Sequence, residues 1–291
     1  MVEAAFGPPG HWTVAQARQG WRAAADGEFW SRCLVVLVDD DPVAVAAAFH
    51  PRLHASAEWA SVEVPPLRRR QGWGRHALAE ILRTLPPDAG PLRAKVADDS
   101  PAAGMAEHVG MRPVQRTRQV RVHVPTDLPG LLASTYSCDD PVAIDAWRHW
   151  YITGHSWDPP QPQPDGFWAD MAAGAQHVIG VPGAHGLEGI GHVYIDEDTS
   201  WFVGGALDPT SPAATSIAAG LLSCARRLVG DPLHVELDDW MADVVSVVDG
   251  LDHIVLDEAL IVMGHPQGDA IERSAGVAGC QGMDATARAQ Q

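Results

Sequence analysis

The hydrophobic positions of the first 124 residues fall into segments with the lengths and periods of strands and helices. Two apolar runs, 32–39 and 43–49, flank an Asp-rich turn and predict a β-hairpin. Leucine and isoleucine at i, i+3, i+4 and i+7 predict a helix over 75–85, which Pro86-Pro87 ends. The remaining segments are predicted as helices over 13–30 and 101–109 and as strands over 58–64, 92–97 and 114–124. The predicted order is α, β, β, β, α, β, α, β.

A similar order recurs in the second half of the chain. Its predicted helices cover 141–151, 167–173, 213–228 and 242–248, and its predicted strands cover 177–181, 189–195, 200–207, 233–237 and 253–263. The repeat predicts an α/β protein with two tandem mixed α/β domains of one kind. A stretch rich in Pro, Gly, Ser and Thr separates them, and the residues after 265 are polar and lack periodicity. We therefore expect domains over 1–125 and 139–265, a linker over 126–138 and a mobile tail over 266–291.

Composition excludes several classes of protein. Of the 291 residues, 46% are hydrophobic and 20% are charged, which is typical of a globular protein. No apolar run reaches the ~18 residues that span a bilayer, and the first residues have no basic segment followed by an apolar one. We expect a cytoplasmic protein without a membrane partner. The four cysteines lie far apart without Cys-x-x-Cys spacing, so neither a disulfide framework nor a zinc site is indicated.

Charge is distributed unevenly along the chain. Residues 1–125 carry 15 basic and 13 acidic side chains, whereas residues 126–291 carry 5 basic and 24 acidic ones, in a chain of net charge −17. An acidic field repels phosphates, and the only basic cluster is Arg68-Arg69-Arg70, so we expect no nucleic-acid partner. Lys95 is the single lysine beside 19 arginines, a bias that indicates a GC-rich genome.

One segment has a pattern that indicates chemistry. The predicted strand 58–64 leads into a loop with the sequence Arg69-x-x-Gly72-x-Gly74, and a helix follows immediately. A helix N-terminus offers unpaired N–H groups and the positive end of a dipole, and glycines let the backbone approach a diphosphate. The pattern predicts a phosphate-bearing cofactor at this loop. A glycine-containing loop without chemical consequence is the alternative.

A dinucleotide-binding loop is a second alternative, because Gly72-Trp-Gly74-Arg-His-Ala77 fits Gly-x-Gly-x-x-Ala. That fingerprint requires a tight turn directly after the strand, whereas the eight residues from Pro65 to Gly72 intervene here. The spacing argues against this alternative.

The loop resembles motif A of the GCN5-related N-acetyltransferases, the GNAT family, whose pattern is Arg/Gln-x-x-Gly-x-Gly/Ala after the fourth strand. The downstream segment that ends Glu107-His-Val-Gly-Met is similar to the family helix that ends in Gly-Phe. The resemblance covers residues 12–124. Residues 139–264 resemble a second, degenerate GNAT fold, and this tandem arrangement is distantly similar to mycothiol synthase-like double-GNAT proteins.

The resemblance implies acetyl-CoA as co-substrate and also implies its contacts. In the family, the pantetheine arm enters between the fourth and fifth strands and its amides bind the backbone of the fourth strand. The resemblance implies that the backbone of Val62, Glu63 and Val64 makes these contacts here. The diphosphate is implied to lie on the backbone N–H groups of Gln71, Gly72, Trp73, Gly74, Arg75 and His76. Arg69 and Arg70 are implied to add positive charge, although each also fits a solvated basic loop. Gly74→Glu is expected to block the diphosphate.

Amide formation from a thioester needs a neutral amine, and a carboxylate helps to remove the proton from an ammonium group. Glu58 stands eleven residues before Arg69, which resembles the spacing of the base glutamate in histone-type family members, and is the expected general base. An exposed glutamate at the strand end is the alternative. In the family, a tyrosine often acts as the general acid that protonates the leaving thiolate, and the matching position here is Ala106. The general acid is therefore unassigned. His108, two residues later, could serve, although a histidine on a helix surface is more often a solvated residue.

Other patterns indicate less. The second half lacks the phosphate loop, and Asp208 after its third strand would repel a diphosphate, so we expect a degenerate domain. His149 and His155 lack a metal-binding spacing, and no Gly-x-Ser-x-Gly motif occurs, so neither a metal site nor a serine hydrolase is expected. Five aromatic residues of the second half could pack in the core or form the wall of an acceptor pocket, and the helical spacing favours the core. They are Trp147, Trp150, Tyr151, Trp157 and Trp168.

These observations predict an N-acetyltransferase that transfers the acetyl group of acetyl-CoA to a small amine by direct attack on the thioester. The acidic second half predicts a cationic acceptor, such as a polyamine, an aminoglycoside-like sugar or a basic peptide end, unless the acidity serves only solubility. A non-catalytic acyl-CoA-binding or interaction protein with the same fold is the alternative. We expect a monomer or a homodimer.

Overall fold

The structure is a computed structural model that describes residues 30–266 except 40, 52, 165, 197 and 198, together with the backbone of 286–289. These residues form two compact units. The first unit combines the described residues up to Val114 with those from Ile261 onward, and the second is Gln115–Leu260. The predicted helix over 13–30 lies outside the described residues apart from Trp30.

Strands and helices alternate along the described chain. The strands are β1 (Ser31–Val38), β2 (Asp41–Phe49), β3 (Glu58–Glu63), β4 (Leu92–Ala97), β5 (Arg112–His123), β6 (Ser134–Tyr136), β7 (His177–Gly183), β8 (Gly186–Asp196), β9 (Thr199–Ala206), β10 (Leu233–Asp238), β11 (Asp252–Gly264) and β12 (Thr286–Ala289). The helices are α1 (Trp73–Thr84), α2 (Pro101–His108), α3 (Pro141–Gly154), α4 (Phe167–Ala173), α5 (Ala214–Val229) and α6 (Ala242–Asp249). No helix in this part of the chain is long and apolar enough to cross a membrane.

The first unit is organised around strands in the order β12-β1-β2-β3-β4. The β1–β2 and β2–β3 pairs are antiparallel, whereas β3 and β4 are parallel. Residues 43–48 of β2 are all buried, because this strand has neighbours on both edges and apolar residues on both faces. Helix α1 buries the apolar side chains Ala77, Leu78 and Ile81. Ser100 caps α2, since its hydroxyl oxygen accepts a hydrogen bond from the Ala103 N–H at 3.1 Å.

The second unit repeats this plan with strands in the order β5-β10-β9-β8-β7-β6. The β9–β10 pair is parallel and the other pairs are antiparallel. Alternate residues of β8 face different helices: a Cβ at Gly189 would meet Ile217 of α5, whereas His192 stacks on Trp147 of α3. The core therefore lies on both faces of the sheet, under α5 on one side and α3 on the other.

The elements predicted within the described residues all form, with small shifts at their ends. Two strands depart from the expected organisation. Strand β6 lies inside the predicted linker and pairs with β7, and β12 lies inside the predicted tail and pairs with β1. Both segments lack a clear apolar period, and the hydrogen bonds to a neighbouring strand stabilise them instead.

Candidate active site

Strands β3 and β4 of the first unit pair only at one end. Glu58 lies opposite Leu92 and Trp59 opposite Arg93, and no later residue of β3 pairs with β4 although every residue of both strands is described. The other edge of β3 remains paired with β2 as far as Glu63. We call the gap between residues 60–63 and residues 94–97 the β3–β4 opening. It leaves backbone N–H and C=O groups of β3 without a strand partner.

The closed end of the opening is held by side chains. The Arg93 guanidinium lies over the Trp59 ring at 4.8 Å from its centroid, and its Nη2 donates a hydrogen bond to the His54 carbonyl oxygen at 2.6 Å. Arg93 is only 1% exposed. A cation on an indole away from water fixes the two strands where they separate.

The loop from β3 to α1 is ordered by its own contacts. Its first residues form a 3₁₀ turn, Pro66–Arg68, and Arg68 pairs with Asp41 at 2.6 Å. Arg69 donates from Nε to the Val64 carbonyl oxygen at 3.0 Å. Arg70 adopts a left-handed conformation with φ 63°, is exposed and has no polar partner in the part of the chain that the structure describes. Of the three arginines of this loop, Arg70 is therefore the one that no polar contact holds to the described residues.

Helix α1 begins at Trp73, and Gly72 is its N-cap residue. Gly72 has φ 87°, and a Cβ there would meet nothing within 4 Å. No side chain among the described residues caps the helix, and no acidic residue lies in its first turn. The N–H groups of Trp73, Gly74 and Arg75 precede the first helical bond and have no partner among the described residues, as expected for an anion site. The His76 N–H, predicted to bind the diphosphate, instead donates to the Gly72 carbonyl oxygen at 3.1 Å.

The side-chain position of Gly74 faces different surroundings from those expected for it. A Cβ there would lie 3.5 Å from the Met105 sulfur and from a methyl group of Val64, and 3.8 Å from a methyl group of Val62. Gly74 therefore faces the packing of α1 on β3 and α2. The expectation that Gly74→Glu blocks the diphosphate is corrected, because the glutamate would enter this apolar contact.

The two faces of β3 differ at the opening. Val62 and Val64 lie on the α1 side, as their contact with Gly74 requires. Ser61 and Glu63 alternate with them and are exposed. Partial desolvation of the Glu63 carboxyl raises its pKa from the ordinary value.

Glu58 is buried at the closed end of the opening. It is only 2% exposed, so the alternative of an exposed glutamate is wrong. One carboxylate oxygen accepts a hydrogen bond from the Gly90 N–H at 3.1 Å, and the other lies 2.9 Å from Nδ1 of His50. The His50 side chain is 19% exposed. A carboxylate that orients an imidazole can move a proton, and His50 is the residue that the sequence pattern did not indicate.

The positions examined for a general acid differ in exposure. Ala106, which stands at the family tyrosine position, is buried in α2. His108 is exposed at the last turn of the same helix. Neither provides a buried proton donor, so the acid stays unassigned.

The second unit has a similar separation of strands, but it is filled. Strands β9 and β10 pair only at Trp201–His234 and Phe202–Val235. Beyond this point Ala206 donates its N–H to Asp243 of α6 at 2.8 Å. A Cβ at Gly205 would lie 3.1 Å from the same carboxylate and 3.3 Å from Nε1 of Trp150. Helix α6 and the aromatic core therefore fill the separation between the strands of the second unit. In the first unit, half-buried and exposed residues border the corresponding opening.

The aromatic residues singled out in the second half have three kinds of surroundings. Trp147 and Trp150 are each 3% exposed and stack at 5.0 Å, which is core packing. Trp157 donates from Nε1 to Gln115 at 2.7 Å. Trp168 instead lines a cavity of about 450 Å³ beside Asp145 and Arg148. No group of three potential metal-binding side chains occurs within the described ranges.

Comparison with known proteins shows the fold. No protein-family model and no curated protein matches the sequence. Among solved structures, the chain is similar to a GCN5-related N-acetyltransferase from Sphaerobacter thermophilus, with a TM-score of 0.60, 14% identity, and coverage of 88% of this chain and 87% of that chain. It is also similar to a tandem GNAT protein from the clavulanic acid biosynthesis pathway, with a TM-score of 0.53, 18% identity, and coverage of 91% of both chains. The prediction of two tandem GNAT-like α/β domains is confirmed.

Proposed function

We propose that the protein is an acetyl-CoA-dependent N-acetyltransferase that acts on a small, cationic amine. The observation that carries this proposal is the β3–β4 opening, in which a strand edge that no described strand covers leads to a helix N-terminus that no described side chain caps. An extended arm that ends in a diphosphate is complementary to both features at once.

The free edge of β3 supplies hydrogen-bonding groups for the amides of the pantetheine arm. We assign these contacts to the backbone of Val62, Glu63 and Val64. The Val64 carbonyl oxygen already accepts from Arg69, which leaves its N–H for the arm. Because these are backbone contacts, they depend on the strand geometry and little on the side chains.

The diphosphate is assigned to the start of α1. The N–H groups of Trp73, Gly74 and Arg75 are unpaired within the part of the chain that the structure describes, and they point along the helix axis towards its N-terminus. Gly72 adds no side chain at this end, and Arg70 contributes a cation that is not neutralised within the described chain. Gln71 and Arg69 contribute through the loop, whose hydrogen bonds hold it in shape.

Proton removal from the acceptor is assigned to Glu58 together with His50. The carboxylate is too buried to meet an amine from solvent directly, whereas its partner imidazole is partly exposed. In this arrangement Glu58 orients the ring, and the imidazole accepts the proton. The neutral amine then attacks the thioester carbonyl, and coenzyme A leaves as the thiolate.

The acceptor is proposed to be cationic because of the charge of the chain. Residues 126–291 carry 24 acidic and 5 basic side chains, whereas residues 1–125 are nearly neutral. An acidic surface raises the local concentration of a cation and steers it, and this effect weakens with salt. The cytoplasmic location and the monomeric or homodimeric state stay predictions.

A non-catalytic acyl-CoA-binding protein is the second candidate. Two observations favour it: both oxygens of Glu58 are engaged by the protein, and the acid position is Ala106. Such a protein would bind the coenzyme through the same opening without turnover.

Thiol release from acetyl-CoA over a panel of amines separates the two candidates. Turnover with at least one cationic amine supports the N-acetyltransferase. Coenzyme binding by calorimetry without thiol release across the panel supports the binding protein. Absence of both binding and release contradicts the two candidates together.

A further inference from the structure

Lys95 is the only lysine among the 20 lysine and arginine residues of the chain, and it lies on β4. It stands two residues beyond Arg93, the last residue of β4 that pairs with β3. Lys95 therefore borders the β3–β4 opening. The side chain is exposed and forms no ion pair with any carboxylate of the described residues.

The direction of the Lys95 side chain follows from the alternation of β4. It projects from the same face as Arg93, whose guanidinium stacks on Trp59 of the neighbouring strand. This is the face of β3 that carries Ser61 and Glu63, opposite the face that packs on α1. The amine thus stands at the edge of the opening, on the side away from α1.

The chemistry of lysine differs from that of arginine at this position. A guanidinium keeps its proton, whereas an amine can lose a proton and become a nucleophile. All other basic side chains of the chain are arginines or histidines. The single side chain able to act as an acyl acceptor through an alkyl amine therefore borders the opening that is proposed to hold the pantetheine arm with its thioester.

We propose that Lys95 is a self-acetylation site, an inference that rests on the proposed function. The neutral Lys95 nitrogen attacks the thioester carbonyl carbon, a C–N bond forms and the C–S bond breaks. Coenzyme A leaves as a thiolate and takes up the proton that the nitrogen releases. The product is a neutral amide, so the modification removes the one lysine charge at the opening.

The test is mass spectrometry of the full chain incubated with acetyl-CoA in the absence of an amine acceptor. The intact mass and the peptide map are expected to show one acetyl group on Lys95, and the variant Lys95→Arg is expected to lack it. The matched control Lys95→Arg/Arg227→Lys moves the only lysine to an exposed position near the end of α5. We expect acetylation there to be at least about tenfold slower, because that amine is not held beside the bound thioester.

The possible outcomes separate this inference from the proposed function. Equal acetylation rates at Lys95 and at the relocated lysine would show that acetyl-CoA free in solution acetylates either amine, and this result overturns the inference. An unmodified Lys95 in a protein that binds acetyl-CoA by calorimetry also overturns it and leaves the proposed function intact. A protein that does not bind acetyl-CoA at all overturns both.

Discussion

The imidazole of His192 lies flat on the indole of Trp147, with ring centroids 3.8 Å apart and 17° between the ring planes. His192 is fully buried in the second unit, and its Nδ1 lies 3.2 Å from the Tyr194 hydroxyl. Its Nε2 has no partner among the described residues. Burial lowers the pKa of His192 from 6.5 to about 3, so the ring is neutral in the folded protein at neutral pH.

The titration of His192 predicts an acid-dependent loss of stability. An unfolded histidine takes up its proton near pH 6.5 and the folded one only near pH 3, so the unfolded state binds more protons between these values. Wild-type stability therefore falls as the pH is lowered through this window. In His192→Phe this contribution is absent, and we expect the variant to gain about 3 kcal/mol relative to wild type between pH 7 and pH 4. Urea unfolding at both pH values measures it; a pH-independent difference would contradict the assignment.

The pair formed by Glu58 and His50 predicts a loss of turnover without a loss of coenzyme binding. Glu58→Gln retains an oxygen for the Gly90 N–H but removes the carboxylate that lies beside the His50 imidazole. We expect kcat to fall by about 10²-fold or more, with a similar loss in His50→Gln. The loss should shrink at high pH, where the amine deprotonates unaided. Glu107→Gln, at an exposed position of α2, is the control; wild-type kcat in Glu58→Gln at neutral pH would remove this residue from the mechanism.

The glycines of the loop predict two different kinds of defect. Gly72→Ala forces a left-handed conformation on alanine at a cost of about 1 kcal/mol and puts a methyl group at the end of α1 that is proposed to bind the diphosphate. We expect weaker acetyl-CoA binding by calorimetry in a folded protein. Gly74→Ala adds a methyl group at ordinary contact distance from Val64 and Met105, and we expect nearly unchanged affinity. Gly74→Glu should instead lower the melting temperature. Equal affinity losses for the two alanine variants would show that the roles are assigned wrongly.

The sequence predicted a strand or helix correctly wherever burial of that element leaves a pattern of apolar residues along the chain. Strand β2 and helix α1 follow their apolar pattern, and the Gly-rich loop falls between a strand and a helix as predicted. The missed features depend on partners distant in sequence. Burial of Glu58 depends on the Gly90 N–H, 32 residues later, and on the His50 imidazole, which bind its two carboxyl oxygens. The short strand β6 forms through its pairing with β7, which no local pattern encodes.

The filled second opening predicts one coenzyme for each chain. Asp243 accepts the Ala206 N–H and is 4% exposed, and burial raises the pKa of its carboxyl. An anionic coenzyme would have to displace this contact and meet a carboxylate. We expect calorimetry with acetyl-CoA to give a stoichiometry of one, and Gly72→Val to abolish the heat signal. A stoichiometry of two, or residual binding at a second site in Gly72→Val, would contradict the difference between the units.

The excess of acidic residues in 126–291 predicts a salt-dependent preference for cationic acceptors. Attraction between an acidic surface and an ammonium group acts over about 10 Å at 0.1 M salt and over about 3 Å at 1 M. For a good cationic amine we therefore expect kcat/KM to fall as salt rises between these limits, mainly through KM. A neutral amine of similar size serves as the matched control and should respond little, which separates loss of steering from a general effect of salt on the protein. Coenzyme affinity is measured in parallel, because salt also weakens phosphate contacts. An equal response of the two amines, or a preference for anionic amines across the panel, would show that the acidity does not select the acceptor.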